Sequence, residues 1–215
     1  MTTATYEAAA IGVENTYKLM ASMIAPRPIG FVTTIDGEGR VNAAPFSFFN
    51  GVSFEPPLVV LGLERHAERP YKDTAANIAE TGEFVCNLTS FAMAEPMNLS
   101  AVNYPHGVDE LAEVGLTAAP SLSVGPPRIA EAPGAMECTR YVTMELGPRR
   151  QIVVGEVKRF WIADEAHDPE RFHVFPEKLD LIGRMGGAAY SMTRDRFDMP
   201  RVDVTDWRSK PTGEG

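Results

Sequence analysis

Two long stretches, Ala135 to Leu146 and Gln151 to Ala163, have strand-type sequence and are separated by Gly147-Pro148. Glycine followed by proline marks a turn, so the stretches read as an antiparallel pair. The first third of the chain has the same character. Ile29 to Ile35 is rich in β-branched residues and Phe. It ends at Asp36-Gly37-Glu38-Gly39, a hairpin-type turn signal, and Val41 to Pro45 is the returning strand. Pro56-Pro57 punctuates the chain, and Leu58 to Leu63 follows as a nearly continuous apolar run, which suits a strand buried on both faces.

Helices are short and few. One opens near Asp73-Thr74, either of which can cap it, and runs through Ala75, Ala76, Ile78 and Ala79 to a stop at Gly82. Glu83 to Leu88 is the next strand. Ser90 to about Asn103 reads as helix interrupted by Pro96. Asp109 caps a short turn of helix that ends at Gly115, and Asp164 to Glu170 is an acidic surface loop. The sum is a mainly β domain with short helices, and pattern alone leans toward a barrel over a sandwich. Residues 1–16 read as an N-terminal extension, 17–195 as the domain, and 196–215 as a polar tail that is ordered only against a partner.

At 215 residues and 44% apolar content the chain can bury one sizeable core. Its net charge of −9 excludes most nucleic-acid binders, which present a cationic face. Cys86 and Cys138 lie in apolar strand contexts without a CxxC, and read as small buried side chains. His66, His106, His167 and His173 show no metal-ligand spacing. The chain has no GxxxxGK[ST] and no GxSxG, and Gly37-Glu38-Gly39 lacks the third glycine and the helix of a Rossmann loop. No secretory signal and no membrane-length apolar run are evident, so the expected location is the cytoplasm.

Two clusters carry chemistry. Arg69 and Lys72 precede the helix at Thr74, whose hydroxyl and free N–H groups add to a dianion cradle. The alternative is a simple cap, Asp73 or Thr74, beside solvated cations. The second cluster is Asn42-Ala43-Ala44-Pro45-Phe46-Ser47-Phe48-Phe49-Asn50. Its aromatic residues can wall a planar heteroaromatic ligand, with Ser and Asn as polar anchors. It reads equally well as a core strand. Thr33 and Thr34 are commonplace strand residues unless their strand lines the site.

Taken in order, these blocks resemble the flavin reductase-like family. The resemblance is carried by Ala25-Pro26-Arg27-Pro28-Ile29-Gly30-Phe31-Val32-Thr33-Thr34, the Asn42 to Asn50 block, Lys72-Asp73-Thr74 with Asn77-Ile78, and Thr81 to Leu88. Glu137-Cys138, Gly155-Glu156-Val157 and Gly183-Arg184-Met185-Gly186-Gly187 followed by Tyr190 agree with it, so it spans about Tyr17 to Tyr190. It implies an FMN-binding split β-barrel of Greek-key topology, working as a homodimer with flavin near the interface. Thr33 and Thr34 would lie along the isoalloxazine edge. Asn42, Ala44, Pro45, Phe46, Phe48 and Phe49 would hold the ring, with Ser47 and Ser53 toward the ribityl-phosphate side. Arg69, Lys72, Asp73 and Thr74 would form the phosphate end, and Arg184 and Tyr190 would frame the open face. The chain departs from members that reduce flavin for a monooxygenase. Arg149-Arg150 stands where those carry Asp-His, so it looks more like the flavoredoxin-type branch.

The resemblance therefore implies an oxidoreductase passing electrons from NAD(P)H or a redox partner through FMN. A non-enzymatic electron carrier or flavin store is the competing expectation. A pyridoxamine phosphate oxidase-like split barrel is disfavoured by the Asn-Pro-Phe-Ser-Phe-Phe character of the second cluster. No residue is required as acid or base, because the flavin carries the redox chemistry.

Overall fold

The computed structural model describes residues 2–64, 73–147 and 149–201. Helix α1 spans Gly12–Met23, and strand β1, Arg27–Pro28, follows. Then come β2 (Gly30–Ile35), β3 (Val41–Phe46), β4 (Phe49–Phe54) and β5 (Pro57–Glu64). Helix α2 (Asp73–Thr81) leads through Gly82, at φ 73°, into β6 (Glu83–Leu88). Positive φ there is the left-handed helix stop that glycine makes easy. Helices α3 (Ala94–Leu99) and α4 (Glu110–Glu113) precede the long β7 (Gly134–Leu146) and β8 (Arg150–Ile162). Helix α5 (Pro176–Leu179), β9 (Ile182–Arg184) and β10 (Tyr190–Met192) complete the described fold.

The main sheet has seven antiparallel strands in the order β3-β2-β6-β7-β8-β5-β4. Its two edges, β3 and β4, are consecutive in the chain and joined by Ser47-Phe48, so the sheet must curl until the edges meet. The corner rests on β5, where the Gly62 N–H donates to the Phe48 carbonyl at 2.7 Å. A curled sheet has one inside, and it is filled by Val32, Phe49, Val59, Leu61, Leu63, Phe84, Cys138, Val153 and Val157, with Ala75 and Ile78 of α2 as the plug. Each fully buried large side chain contributes about 1.5–3 kcal/mol. Gly155 on β8 is required by this packing, since a Cβ there would lie 2.2 Å from Phe84 Cζ. Successive β2 residues face opposite ways, so Phe31 packs outside the barrel with Ala43, Met93, Met97, Leu111 and Ile129. A small sheet, β1-β9-β10, stands beside this second core.

Three sequence readings are corrected here. The run from Leu58 to Leu63 is not buried on both faces: Val59, Leu61 and Leu63 face the barrel interior, whereas Leu58, Val60 and Gly62 are partly exposed. Pro96 does not interrupt a helix, because α3 begins at Ala94 and Pro96 falls in its first turn, where a missing N–H costs nothing. Residues ahead of Tyr17 are not merely an extension, since α1 runs across that boundary. Only Ala21 of α1 is buried, so the helix lacks the wide apolar face that would have revealed it.

Candidate functional site

Thr33 and Thr34 point to opposite faces of β2, and both are fully buried. The Thr33 hydroxyl donates to the Pro127 carbonyl and accepts from Asn87 Nδ2. Thr34 Oγ1 accepts from Asn42 Nδ2 at 3.3 Å and from Asn77 Nδ2 at 3.0 Å. Asn42 Nδ2 also donates to Thr74 Oγ1 at 2.9 Å. Thr34, Asn42, Thr74 and Asn77 thus form a buried polar network that fastens the first turn of α2 to β2 and β3. Leaving one such group unpaired costs about 1–3 kcal/mol, which gives the network its register. The Thr74 hydroxyl is engaged in this network. The part of Asn77 in this network is not legible in the sequence, because it depends on a contact made only in the fold.

Asp73 Oδ1 meets His106 Nδ1 at 3.0 Å. Arg69 and Lys72 lie outside the described residues. Nearby, the Glu110 carboxylate accepts from the Ala43 N–H of the edge strand at 2.8 Å. Burial pushes the Glu110 carboxyl up from its ordinary range, and the charges of Asp73 and Asp109 add to the rise.

Along β3, Asn42, Ala44 and Phe46 share one face and Ala43 and Pro45 the other. The three phenylalanines do not form one wall. Phe46 packs against the barrel core and Phe49 lies within it, while Phe48 remains part-exposed. Phe48 meets the Tyr17 ring edge-on at 6.5 Å, and the Arg27 guanidinium lies 5.9 Å from its centroid. Ser53 stands apart at the far end of β4, where its Oγ accepts from the Glu55 N–H.

Beyond the corner is a cavity of about 170 Å³ lined by Ile29, Pro45, Ser47, Met97, Asn98, Ala101, Arg184 and Tyr190. The Arg184 guanidinium stacks 4.5 Å over the Tyr190 ring and donates to the Gly187 carbonyl at 2.6 Å. The Tyr190 hydroxyl donates to Asn98 Oδ1 at 3.4 Å. Ser47 Oγ accepts from Arg27 Nε at 3.3 Å. The other Arg27 donors reach the carbonyls of Ala21, Ile24 and Met185, so one side chain joins α1, the β9–β10 loop and the corner. Apolar walls with a few cationic and hydroxyl donors suit a planar ring with polar edges. Of the residues that the resemblance assigns to the flavin, Pro45, Arg184 and Tyr190 line this cavity, and so does Ser47, which was expected toward the ribityl-phosphate side. Sequence reasoning missed Met97 and Asn98 in the lining and Arg27, which bonds Ser47, because only the tertiary fold brings them in.

The family profile described as the flavin reductase like domain matches residues 20–179. The chain belongs to the flavin reductase-like family. A protein of Deinococcus radiodurans without an assigned function is 41% identical over 90% of this chain and 88% of its own. The structure of nitrilotriacetate monooxygenase component B from Bacillus cereus superposes with a TM-score of 0.88 at 30% identity, covering 93% of this chain and 100% of that one. The 2-nitrobenzoate 2-nitroreductase NbaA of Pseudomonas fluorescens gives 0.87 at 32% identity, covering 94% and 98%. Flavoredoxin of Desulfovibrio vulgaris shares the fold, with a TM-score of 0.72 at 21% identity over 81% of this chain and 91% of that one. Family membership and these neighbours support a flavin-related, oxidoreductase-type role.

Proposed function

We propose that this protein binds FMN and passes electrons from NAD(P)H, or from a redox partner, through the flavin to an acceptor. One juxtaposition carries the reading. The edge strand β3 runs from Asn42, fastened to the start of α2, to Pro45 and Ser47 at the cavity. Asn42 to Ser47 spans roughly 16 Å at ~3.3 Å per strand residue, room for a phosphate at one end and a ring at the other. Lys72, Arg69 and the α2 N–H groups would hold the phosphate, and Ser47, Pro45, Arg184 and Tyr190 the ring. When bound, the flavin supplies hydride and electron acceptance, and the chain supplies position, donors and charge.

We place it in the cytoplasm as a homodimer. No helix among the described residues is long and apolar enough to cross a membrane. Pairing of β6 with β7 ends at Thr139. Beyond it Tyr141, Val142, Met144 and Leu146 are exposed, and Phe54 on β4 is 91% exposed. An apolar strand edge of this length calls for a cover, and a second copy supplies one.

A non-enzymatic electron carrier is the second reading, since a cavity whose described lining has no carboxylate or histidine is compatible with both. Stopped-flow mixing of the FMN-loaded protein with NADH and NADPH separates the two. Rapid bleaching with either nicotinamide supports the oxidoreductase, and no bleaching without a partner protein supports the carrier.

A further inference from the structure

Arg27 is 4% exposed, yet its hydrogen-bond partners are three carbonyls and the Ser47 hydroxyl, all neutral. Arg184, half-buried in the lining of the cavity that Ser47 also lines, bonds the Gly187 carbonyl and covers the Tyr190 ring. Among the described residues neither forms an ion pair, whereas Arg40, Arg150, Arg159, Arg194 and Arg196 each have a carboxylate. The elements packed around them offer little counter-charge. In α1 the acid is Glu14, held by Lys18, in α3 it is the exposed Glu95, and β3, β9 and β10 carry none. The buried Arg27 cation, without a counter-ion, keeps its field in a low-dielectric setting, and the half-buried Arg184 adds a second positive charge at the cavity of a protein of net charge −9.

We infer that Arg27 and Arg184 make this end of the site selective for negative charge on the bound ring, so that the flavin is held in its two-electron-reduced, singly protonated anionic form. The inference rests on the reading that the cavity holds the isoalloxazine end. The stoichiometry suits the residues present. Hydride from a reduced nicotinamide delivers two electrons and one proton, and converts the neutral oxidised ring to that anion with no second proton. Among the described residues the lining accordingly holds no carboxylate or histidine to supply one. Arg27 acts as a positioning residue through Ser47 and by its field.

The test is the midpoint potential of bound FMN, measured by reductive titration against indicator dyes from about pH 5 to pH 7. A two-electron, one-proton couple moves ~30 mV per pH unit and a two-proton couple ~59 mV. The wild-type protein should follow the shallower slope. Arg27→Gln should lower the preference for reduced over oxidised flavin about tenfold, equivalent to ~30 mV, and steepen the slope at the acid end. Arg27→Lys, which keeps the charge, should retain the wild-type potential. Arg184→Gln should act in the same direction as Arg27→Gln and keeps the question answerable if the latter does not fold. Variants that bind FMN with unchanged potential and slope would overturn the inference and leave the flavin site standing. A wild-type protein that binds no FMN would instead remove the reading on which the inference rests.

Discussion

Asn42 of β3 donates a hydrogen bond of 2.9 Å to Thr74 in the first turn of α2, with both side chains buried. This bond sets where the proposed phosphate end lies relative to the edge strand. Asn42→Ala removes the donor and leaves the Thr74 hydroxyl without it, so stability should fall by about 1–3 kcal/mol. Denaturant unfolding checks it, and an unchanged midpoint would contradict the role given to the network.

Lys72 is the cation predicted to meet the phosphate from its place just before Asp73. Lys72→Ala should weaken FMN by tenfold or more and leave riboflavin little changed, because only FMN carries the dianion. Calorimetric titration of both ligands decides it. Equal weakening of the two would mean that Lys72 does not hold the phosphate.

Glu110 carries a pH signature. Its carboxyl is raised above the ordinary 4.5, chiefly by burial. The folded state therefore binds the proton more tightly than the unfolded state, and stability declines as pH rises from about 4.5 through the raised value. Glu110→Gln keeps an acceptor for the Ala43 N–H without the charge. The variant should lose this decline and exceed the wild type in stability at neutral pH, with no advantage below the unfolded carboxyl range. A parallel pH profile for the two proteins would contradict the assignment.

Gly155 faces the Phe84 ring in the barrel interior. With 2.2 Å available between an added Cβ and Phe84 Cζ, Gly155→Ala must displace the ring. The expected loss is about 1–3 kcal/mol, seen as a lower denaturant midpoint at unchanged m-value.

Much of the architecture was legible because its signals are local. The β7–β8 hairpin, the Asp36 to Gly39 turn, the Gly82 stop and the Asp109 cap, whose Oδ1 accepts from Leu111 N, each declare themselves within a few residues. The corner block was legible as a block but not residue by residue. Which of Phe46, Phe48 and Phe49 faces the core follows from how the sheet curls at Ser47, a non-local fact. Helix α1 and the two- and three-residue strands of the small sheet carry too little periodicity to be read. Arg27 stayed hidden for a related reason: its partners, Ala21, Ile24, Ser47 and Met185, come from segments that only the fold assembles.

The apolar strand end of β7 gives the proposed dimer a direct check. Met144→Lys places a charge among exposed apolar neighbours, and sedimentation equilibrium should shift from dimer to monomer mass with the fold retained. An unchanged dimer would assign the interface to another surface.

The central claim is the flavin, and the visible absorption spectrum of the purified protein, followed by identification of the released chromophore, tests it most directly. The account predicts a yellow protein that yields FMN on denaturation. A colourless protein that also fails to take up added FMN would contradict it, and would mean that the family fold persists here without its flavin site.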